Sequence, residues 1–310
     1  MKIILSDKKL DHEYFPDDIV IKSVSYKELD KYDGNTNVVA IAGSRAMAIK
    51  CADMDFPSLK LYQLTSAGFD GVPCEKYAEK GIVVANAGTV YSVPIAETVV
   101  LGILLMAKRL RKNVNNRRFK LLRGYSYISE LCNKKVLIMG AGNIGTAVAE
   151  RLAGFEMTID GYDPYCTEKS QYKKIIRTRN ELLGVISEYD YVVSTLPDSE
   201  QTRGFVDKEL LSNLKPSAVI VNVGRKAVFD EKELYLALRT QRIGGAVLDI
   251  FEKLPNPITN KYRRLKNVVV LPGVAAISQE VNGRLMEHMS KNIVASLKEE
   301  AISNVINGVN

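Results

Sequence analysis

The chain has 310 residues, 46% of them hydrophobic and 25% charged, an ordinary globular composition at a length of two domains. Only ten residues separate Glu97 from Lys108 in the most apolar stretch, against the ~20 that a membrane helix needs, and MKIILSDKK lacks the apolar region and cleavage site of a signal peptide. We expect a soluble, cytoplasmic protein with no membrane partner; four dispersed cysteines and two histidines argue against a disulfide framework and against any metal site of zinc type.

The first third alternates short apolar runs with polar, helix-like stretches. Lys2–Leu5, Ile19–Val24, Val38–Ala42, Leu61–Leu64 and Ile82–Ala85 read as buried strands, and Pro73–Lys80 as helical. Such alternation implies an α/β fold with a parallel sheet covered on both faces. A long helix is expected from Pro94 to Arg111, with Pro in its first turn and basic residues at its end. It is apolar nearly all round, so it should be buried. Between Lys108 and Lys120 lie seven cationic side chains and no acid.

A second series begins at Lys135, with strands at Val136–Met139, Met157–Gly161, Tyr191–Thr195, Ala218–Val223, Ala246–Leu248 and Val268–Leu271. Six strands make a complete dinucleotide-binding sheet. Lys169 to Arg179 adds five more cations to a chain of 43 basic and 36 acidic residues, net +7. The excess could follow a nucleic-acid backbone, meet a phosphorylated ligand, or be a solvated helix end and loop. No nucleic-acid fold signature accompanies it, so nucleic acid is the disfavoured partner. A last helix, near Gln279–Lys298, should return to the first domain.

The most informative stretch is KKVLIMGAGNIGTAVAERLAGF. Gly140-Ala141-Gly142-Asn143-Ile144-Gly145 is a GxGxxG between an expected strand and an expected helix. Gly140 permits the tight turn, Gly142 lets backbone approach a pyrophosphate, and Gly145 lets helix pack on strand, with helix N–H groups meeting the phosphates. Asp163 follows Gly145 by 18 residues, at the end of the next expected strand. A carboxylate there accepts from the adenosine ribose and repels a 2′-phosphate. The expected cofactor is therefore NAD(H), preferred over NADP(H).

Further motifs occur in order: Thr65-Ser66-Ala67-Gly68-Phe69-Asp70, Val90-Tyr91-Ser92-Val93-Pro94-Ile95-Ala96-Glu97, the fingerprint, Thr195-Leu196-Pro197, Asn222-Val223-Gly224-Arg225, and Gly245-Ala246-Val247-Leu248-Asp249-Ile250-Phe251-Glu252. Together they resemble the D-isomer-specific 2-hydroxyacid dehydrogenases. The resemblance implies two doubly wound parallel-sheet domains, Rossmann- or flavodoxin-like, with a cleft between them. Residues 1–92 plus 280–310 would form the substrate domain and 93–279 the NAD domain, in a homodimer.

Carried over by position, Asn143, Ile144 and Asp163 should touch phosphates and adenosine. Leu196 and Pro197 should line the adenine side, with Thr195 in the same motif and Thr202 close to the dinucleotide. Val223, Gly224, Arg225 and Asp249 should surround the nicotinamide. Arg225 is the catalytic candidate, a planar cationic fork for the carboxylate and carbonyl of a 2-oxo acid. The backbone of Ala67 and Gly68 and the side chain of Tyr91 are candidate substrate contacts; Tyr91 is equally a packed hinge aromatic.

The sequence departs from the family at one pair. The family's glutamate, five residues after Asp249, is Leu254, and its histidine is Gly273. Glu252 has the wrong spacing, and His12 and His288 read as structural. Three readings stay open: an oxidoreductase taking its proton from water, Tyr91 or Lys253; an enzyme whose substrate needs no general acid; or a catalytically silent NAD(H) sensor or scaffold. The first is the principal expectation.

Overall fold

The structure, a computed structural model, describes residues 2–110, 128–249 and 261–309. Leu254, Glu252, Lys253 and most of the first basic stretch lie outside the described residues. The chain divides into two compact units, Met1–Tyr91 with Ser278–Asn310, and Ser92–Ile277.

In the first unit, β1 (Lys2–Ser6), β2 (Ile19–Ser23), β3 (Val38–Gly43), β4 (Leu61–Leu64) and β5 (Val83–Ala85) form a parallel sheet in the order β2-β1-β3-β4-β5. Every residue of β4 and β5 is buried, as expected where helices cover both faces of a parallel sheet. Helices α1 (Arg45–Cys51) and α2 (Cys74–Glu79) belong to this unit. Ser44 caps α1 by accepting from the Met47 N–H at 3.4 Å.

The next helix, α3, runs Gly88–Ala107 and corrects the expected start at Pro94. Pro94 lies inside the helix, not in its first turn. The start signal is Asn86, whose Oδ1 accepts from the Gly88 N–H at 2.9 Å; an Asx turn two residues ahead was less visible than the proline. Over Gly88–Ala107 the mean hydropathy reaches 1.9, enough in length and composition to cross a membrane, yet half of that span is buried within the protein. Ile95, Ala96, Val99 and Ile103 recur on one face and are buried. A Cβ on Gly102 would sit 2.9 Å from the Val247 side chain, so the helix lies close against the strand carrying Val247.

The second unit holds β6 (Lys135–Met139), β7 (Thr158–Tyr162), β8 (Lys174–Ile176), β9 (Tyr191–Ser194), β10 (Val219–Asn222), β11 (Gly245–Leu248) and β12 (Val268–Val270). They form one parallel sheet ordered β12-β11-β10-β9-β6-β7-β8. Seven strands replace the six expected. The extra one, β8, is a three-residue edge strand, KII, inside the second basic stretch, where the charge suggested a loop. Strand order reverses between β6 and β9, the switch point at which doubly wound sheets bind ligands.

Helices α4 (Asn143–Ala153), α5 (Arg179–Val185), α6 (Lys208–Asn213) and α7 (Glu231–Arg239) follow in this unit. The final helix, α8 (Val281–Lys298), belongs to the first unit. Its Val281, Leu285, Met289 and Ile293 share one stripe and pack with Ile4, Ala40, Leu61 and Val83 of the sheet. At roughly 1.5–3 kcal/mol for each large apolar side chain buried, this stripe fastens the helix to the sheet, and backbone hydrogen bonds from Ile306 to Val84 and from Asn86 to Asn304 fasten the residues after it.

Candidate active site

At the switch point, β6 ends at Met139 and the chain turns through Gly140, whose φ of +96° suits glycine. Thr195, leaving the neighbouring β9, donates its N–H to the Met139 carbonyl at 2.9 Å and its Oγ1 to the Gly140 carbonyl at 2.9 Å. The two loops are thus tied at the crevice. A Cβ on Gly145 would lie 1.9 Å from the Gly140 oxygen, so α4 meets the strand end by backbone contact.

Gly142 precedes α4 and offers no capping side chain. Nothing lies within 4 Å of where its Cβ would be. The space a Cβ would fill is the space a pyrophosphate needs, in front of a helix N-terminus. The residues therefore fit a dinucleotide. Asn143 is exposed and Ile144 half-buried at the start of this helix.

Asp163, just past β7, ties the fingerprint loop to the turn that follows β7. Its Oδ2 accepts from the Ala141 N–H at 2.9 Å, and its Oδ1 from the N–H groups of Tyr165 at 2.9 Å and Cys166 at 3.1 Å. Sequence reasoning missed Lys169, whose Nζ donates to the Ala141 carbonyl at 2.7 Å and to Thr146 Oγ1 at 3.1 Å. Only the clustering of charge could have drawn attention to it.

Across the crevice, a Cβ on Gly224 would lie 2.7 Å from the Leu196 oxygen, so the loops after β9 and β10 lie flush. Leu196 and Val223 are buried and Pro197 is exposed. Thr202 donates to the Pro197 carbonyl at 2.6 Å and accepts from the Ser199 N–H at 2.9 Å, closing that turn. Asn222 brackets the next one. Its Oδ1 accepts from the Gly224 N–H at 3.2 Å and its Nδ2 donates to the Arg225 carbonyl at 3.2 Å.

Arg225 is half-buried, with Nη1 donating to the Gly224 carbonyl at 3.0 Å. Nearby, the Arg203 guanidinium holds the Asp198 carboxyl below the usual range, and Arg225 adds to that pull. Asp249, after β11, accepts from the N–H groups of Val274 at 2.9 Å and Ala275 at 3.0 Å. Burial pushes its carboxyl up, against the pull of the Ala275, Val274 and Gly273 N–H groups. Asp249 thus anchors the loop carrying Gly273, which is exposed, has φ +71° and has nothing within 4 Å of a Cβ.

In the first unit, the loop after β4 turns its carbonyls toward side-chain donors. Tyr91 donates to Thr65 O at 2.6 Å, Asn86 Nδ2 to Ala67 O at 2.9 Å, and Ser66 Oγ to Gly68 O at 2.7 Å. Among the described residues, the N–H groups of Ala67 and Gly68 donate to no protein acceptor. That leaves two donors for an anion. Burial pushes the Tyr91 phenol up, and its proton is engaged at Thr65.

Behind this loop, Asn292 Nδ2 donates to Gln63 Oε1 at 2.7 Å and to Ser303 O at 3.0 Å. His288 Nε2 lies 2.9 Å from Asn86 O. His288 is therefore packed against the chain, and His12 is exposed. Asn86, Gln63 and Asn292 were not singled out from sequence, and Asn222 only as part of its motif, without its bracing role. Asn86 is signalled by the Asn-Ala-Gly turn; Gln63 and Asn292 carry no local signal.

With this geometry in place, comparison with known proteins decides the family. Residues 98–275 match the D-isomer specific 2-hydroxyacid dehydrogenase family, in its NAD binding domain. The chain belongs to that family. It is 31% identical over 258 residues to a D-3-phosphoglycerate dehydrogenase of Methanocaldococcus jannaschii, covering 80% of this chain but only 48% of that protein. It therefore spans about half the length of that relative. A glyoxylate reductase of Korarchaeum cryptofilum is 30% identical over 260 residues, 81% of this chain and 77% of its own. Among solved structures, the NADPH-dependent glyoxylate/hydroxypyruvate reductase of Sinorhizobium meliloti in complex with citrate superposes with a TM-score of 0.78 at 25% identity. That match covers 100% of this chain and 98% of the other. The crevice between β6 and β9 lies within the stretch that matches the family's NAD binding domain.

Proposed function

We propose that the protein is an NAD(P)-dependent oxidoreductase interconverting a small 2-oxo acid and its 2-hydroxy acid, with NADH preferred. The observation that supports this reading is the fingerprint crevice: Gly140 and Gly145 allow the tight turn and the strand-to-helix contact, Gly142 leaves open space before the helix, and Asp163 follows the next strand, where a ribose would be addressed. The second unit is the dinucleotide domain and the first the substrate domain. The reading includes a cytoplasmic homodimer, supported by the apolar surface of α3 around Leu101, which is 52% exposed.

A bound nicotinamide supplies or accepts the hydride. The chain's own residues do the rest. Asn222 and Gly224 fix the backbone at Arg225, whose guanidinium binds a carboxylate and polarises the adjoining carbonyl. The N–H groups of Ala67 and Gly68 offer a second anion contact in the substrate domain. Asp249 keeps the Gly273 loop in place, and its oxygens retain lone pairs for a carboxamide. The alkoxide formed on reduction needs a proton, and the family's donor position is Gly273. Solvent is the proton source in this reading, at the loss of the ~10²–10⁴-fold that a positioned acid contributes.

That missing donor favours a second reading, an NAD(H)-binding sensor on the same fold. The discriminating experiment follows NADH absorbance with a panel of 2-oxo acids. Oxidation of NADH establishes the enzyme; tight NADH binding without turnover across the panel establishes the sensor. As a further check, Leu254→Glu with Gly273→His should raise turnover more than the product of the single changes.

A further inference from the structure

The second basic stretch folds around the adenosine end of the crevice. Arg179 is paired with Asp207 at 2.8 Å and Glu209 at 3.1 Å, and Lys174 lies 3.8 Å from Asp160. Lys169 and Arg177 are different. Among the described residues, neither has a carboxylate within 4.0 Å.

Both cations are bound to backbone one peptide group away from Asp163. The Ala141 N–H donates to Asp163 Oδ2 at 2.9 Å, and the carbonyl of the same residue accepts from Lys169 Nζ at 2.7 Å. The Cys166 N–H donates to Asp163 Oδ1 at 3.1 Å, and its carbonyl accepts from Arg177 Nη1. Lys169 uses two of its three ammonium protons, on Ala141 and Thr146. Arg177, exposed, keeps most of its five donors. The Asp163 oxygens meanwhile accept three backbone N–H groups, so the carboxylate is held in place while two cations flank it.

In doubly wound dehydrogenases the residue at the Asp163 position addresses the ribose 2′-hydroxyl, and a nearby cation accommodates a 2′-phosphate. We infer that Lys169 and Arg177 form a 2′-phosphate-binding pair beside Asp163, so that the site takes NADPH as well as NADH. Asp163 keeps NADH the better ligand; the flanking cations narrow the margin. This inference rests on the dehydrogenase reading and adds a specificity device to it.

The test is titration of NADH and NADPH by nucleotide fluorescence, in the unmodified protein and in Lys169→Met, Lys169→Arg and Arg177→Met. The unmodified protein should bind NADPH within about tenfold of NADH, and NADPH affinity should fall more steeply with salt. Lys169→Met and Arg177→Met should each raise the NADPH-to-NADH Kd ratio by roughly tenfold, the loss of one charge-assisted hydrogen bond. Lys169→Arg should hold the ratio within about threefold, since it keeps the charge. Arg177 is exposed, so its variant reads out even if Lys169→Met disturbs the fingerprint loop. The inference is overturned if NADH binds and NADPH does not, or if neither variant moves the ratio, including a uniform loss of both nucleotides. Binding of neither nucleotide by the unmodified protein would overturn the dehydrogenase reading along with it.

Discussion

The two units carry parallel sheets of the same doubly wound kind, yet they fix their functional loops by different means. In the second unit the loops after β6, β9 and β10 are set by the absence of side chains: Gly145 and Gly224 bring backbone against backbone, closer than any Cβ permits, and Gly140 lies too close to the Thr195 hydroxyl for one. In the first unit the loop after β4 is set by the presence of side chains, with Tyr91, Asn86 and Ser66 each holding one carbonyl. A loop made by close approach has no slack, and suits a ligand whose pyrophosphate never changes. A loop made by hydrogen bonds can be retuned one donor at a time, which suits the substrate role proposed for it.

Breaking a backbone contact should therefore have the largest effect. Gly145→Ala places a carbon 1.9 Å from the Gly140 oxygen, and neither backbone can retreat without opening the sheet-to-helix junction. We expect a loss of about 3 kcal/mol or more in urea unfolding, with NADH binding abolished. Near-native stability with tight NADH binding would show that this junction is adjustable after all.

Breaking the side-chain network should have a smaller and more local effect. Asn292→Leu strands the buried Gln63 Oε1 and the Ser303 backbone. Leaving such groups unpaired should cost about 2–3 kcal/mol. NADH affinity should stay unchanged, because no member of this network belongs to the second unit. A parallel loss of NADH binding would contradict the separation of the two loop types.

The same contrast explains what could be read in advance. Glycines at fixed spacing between a strand and a helix are local, so Gly140, Gly142, Gly145 and the acid at 163 were visible as a pattern. The strands were visible too, because a sheet covered on both faces needs unbroken apolar runs; β8 escaped because an edge strand of three residues needs no such run. Gln63 and Asn292 stand 229 residues apart, and no periodicity links a polar residue in a buried strand to one on a distant helix. Pro94 misled for a related reason. Proline favours a first turn locally, but α3 had already been started by Asn86.

Tyr91→Phe separates a brace from a proton donor. The hydroxyl is engaged at Thr65 O and burial pushes its pKa up, which makes it a weak acid near neutral pH. We expect a stability loss of about 1 kcal/mol for the unpaired carbonyl. KM should rise while kcat stays within about threefold, against the ~10²-fold or greater loss in kcat expected on removing a general acid. A collapse of kcat at unchanged KM would make Tyr91 the donor that Gly273 is not.

The smallest effect on catalysis is expected at Gly273 itself, when it alone is changed to His. Its φ of +71° lies in the left-handed region, and Asp249 holds the following N–H groups of Val274 and Ala275 so that the turn cannot simply relax. A histidine there meets no steric obstacle, because the space around a Cβ is empty, so the whole penalty is backbone strain of about 1–2 kcal/mol. Thermal unfolding should show this as a small drop in Tm with the fold intact. Turnover should stay within about threefold of the unmodified protein, since an imidazole without a carboxylate partner lacks both orientation and stabilisation of its charged form. Single-variant turnover rising more than tenfold would mean that the loop presents the ring correctly unaided, and that the missing carboxylate at Leu254 matters less than the missing histidine.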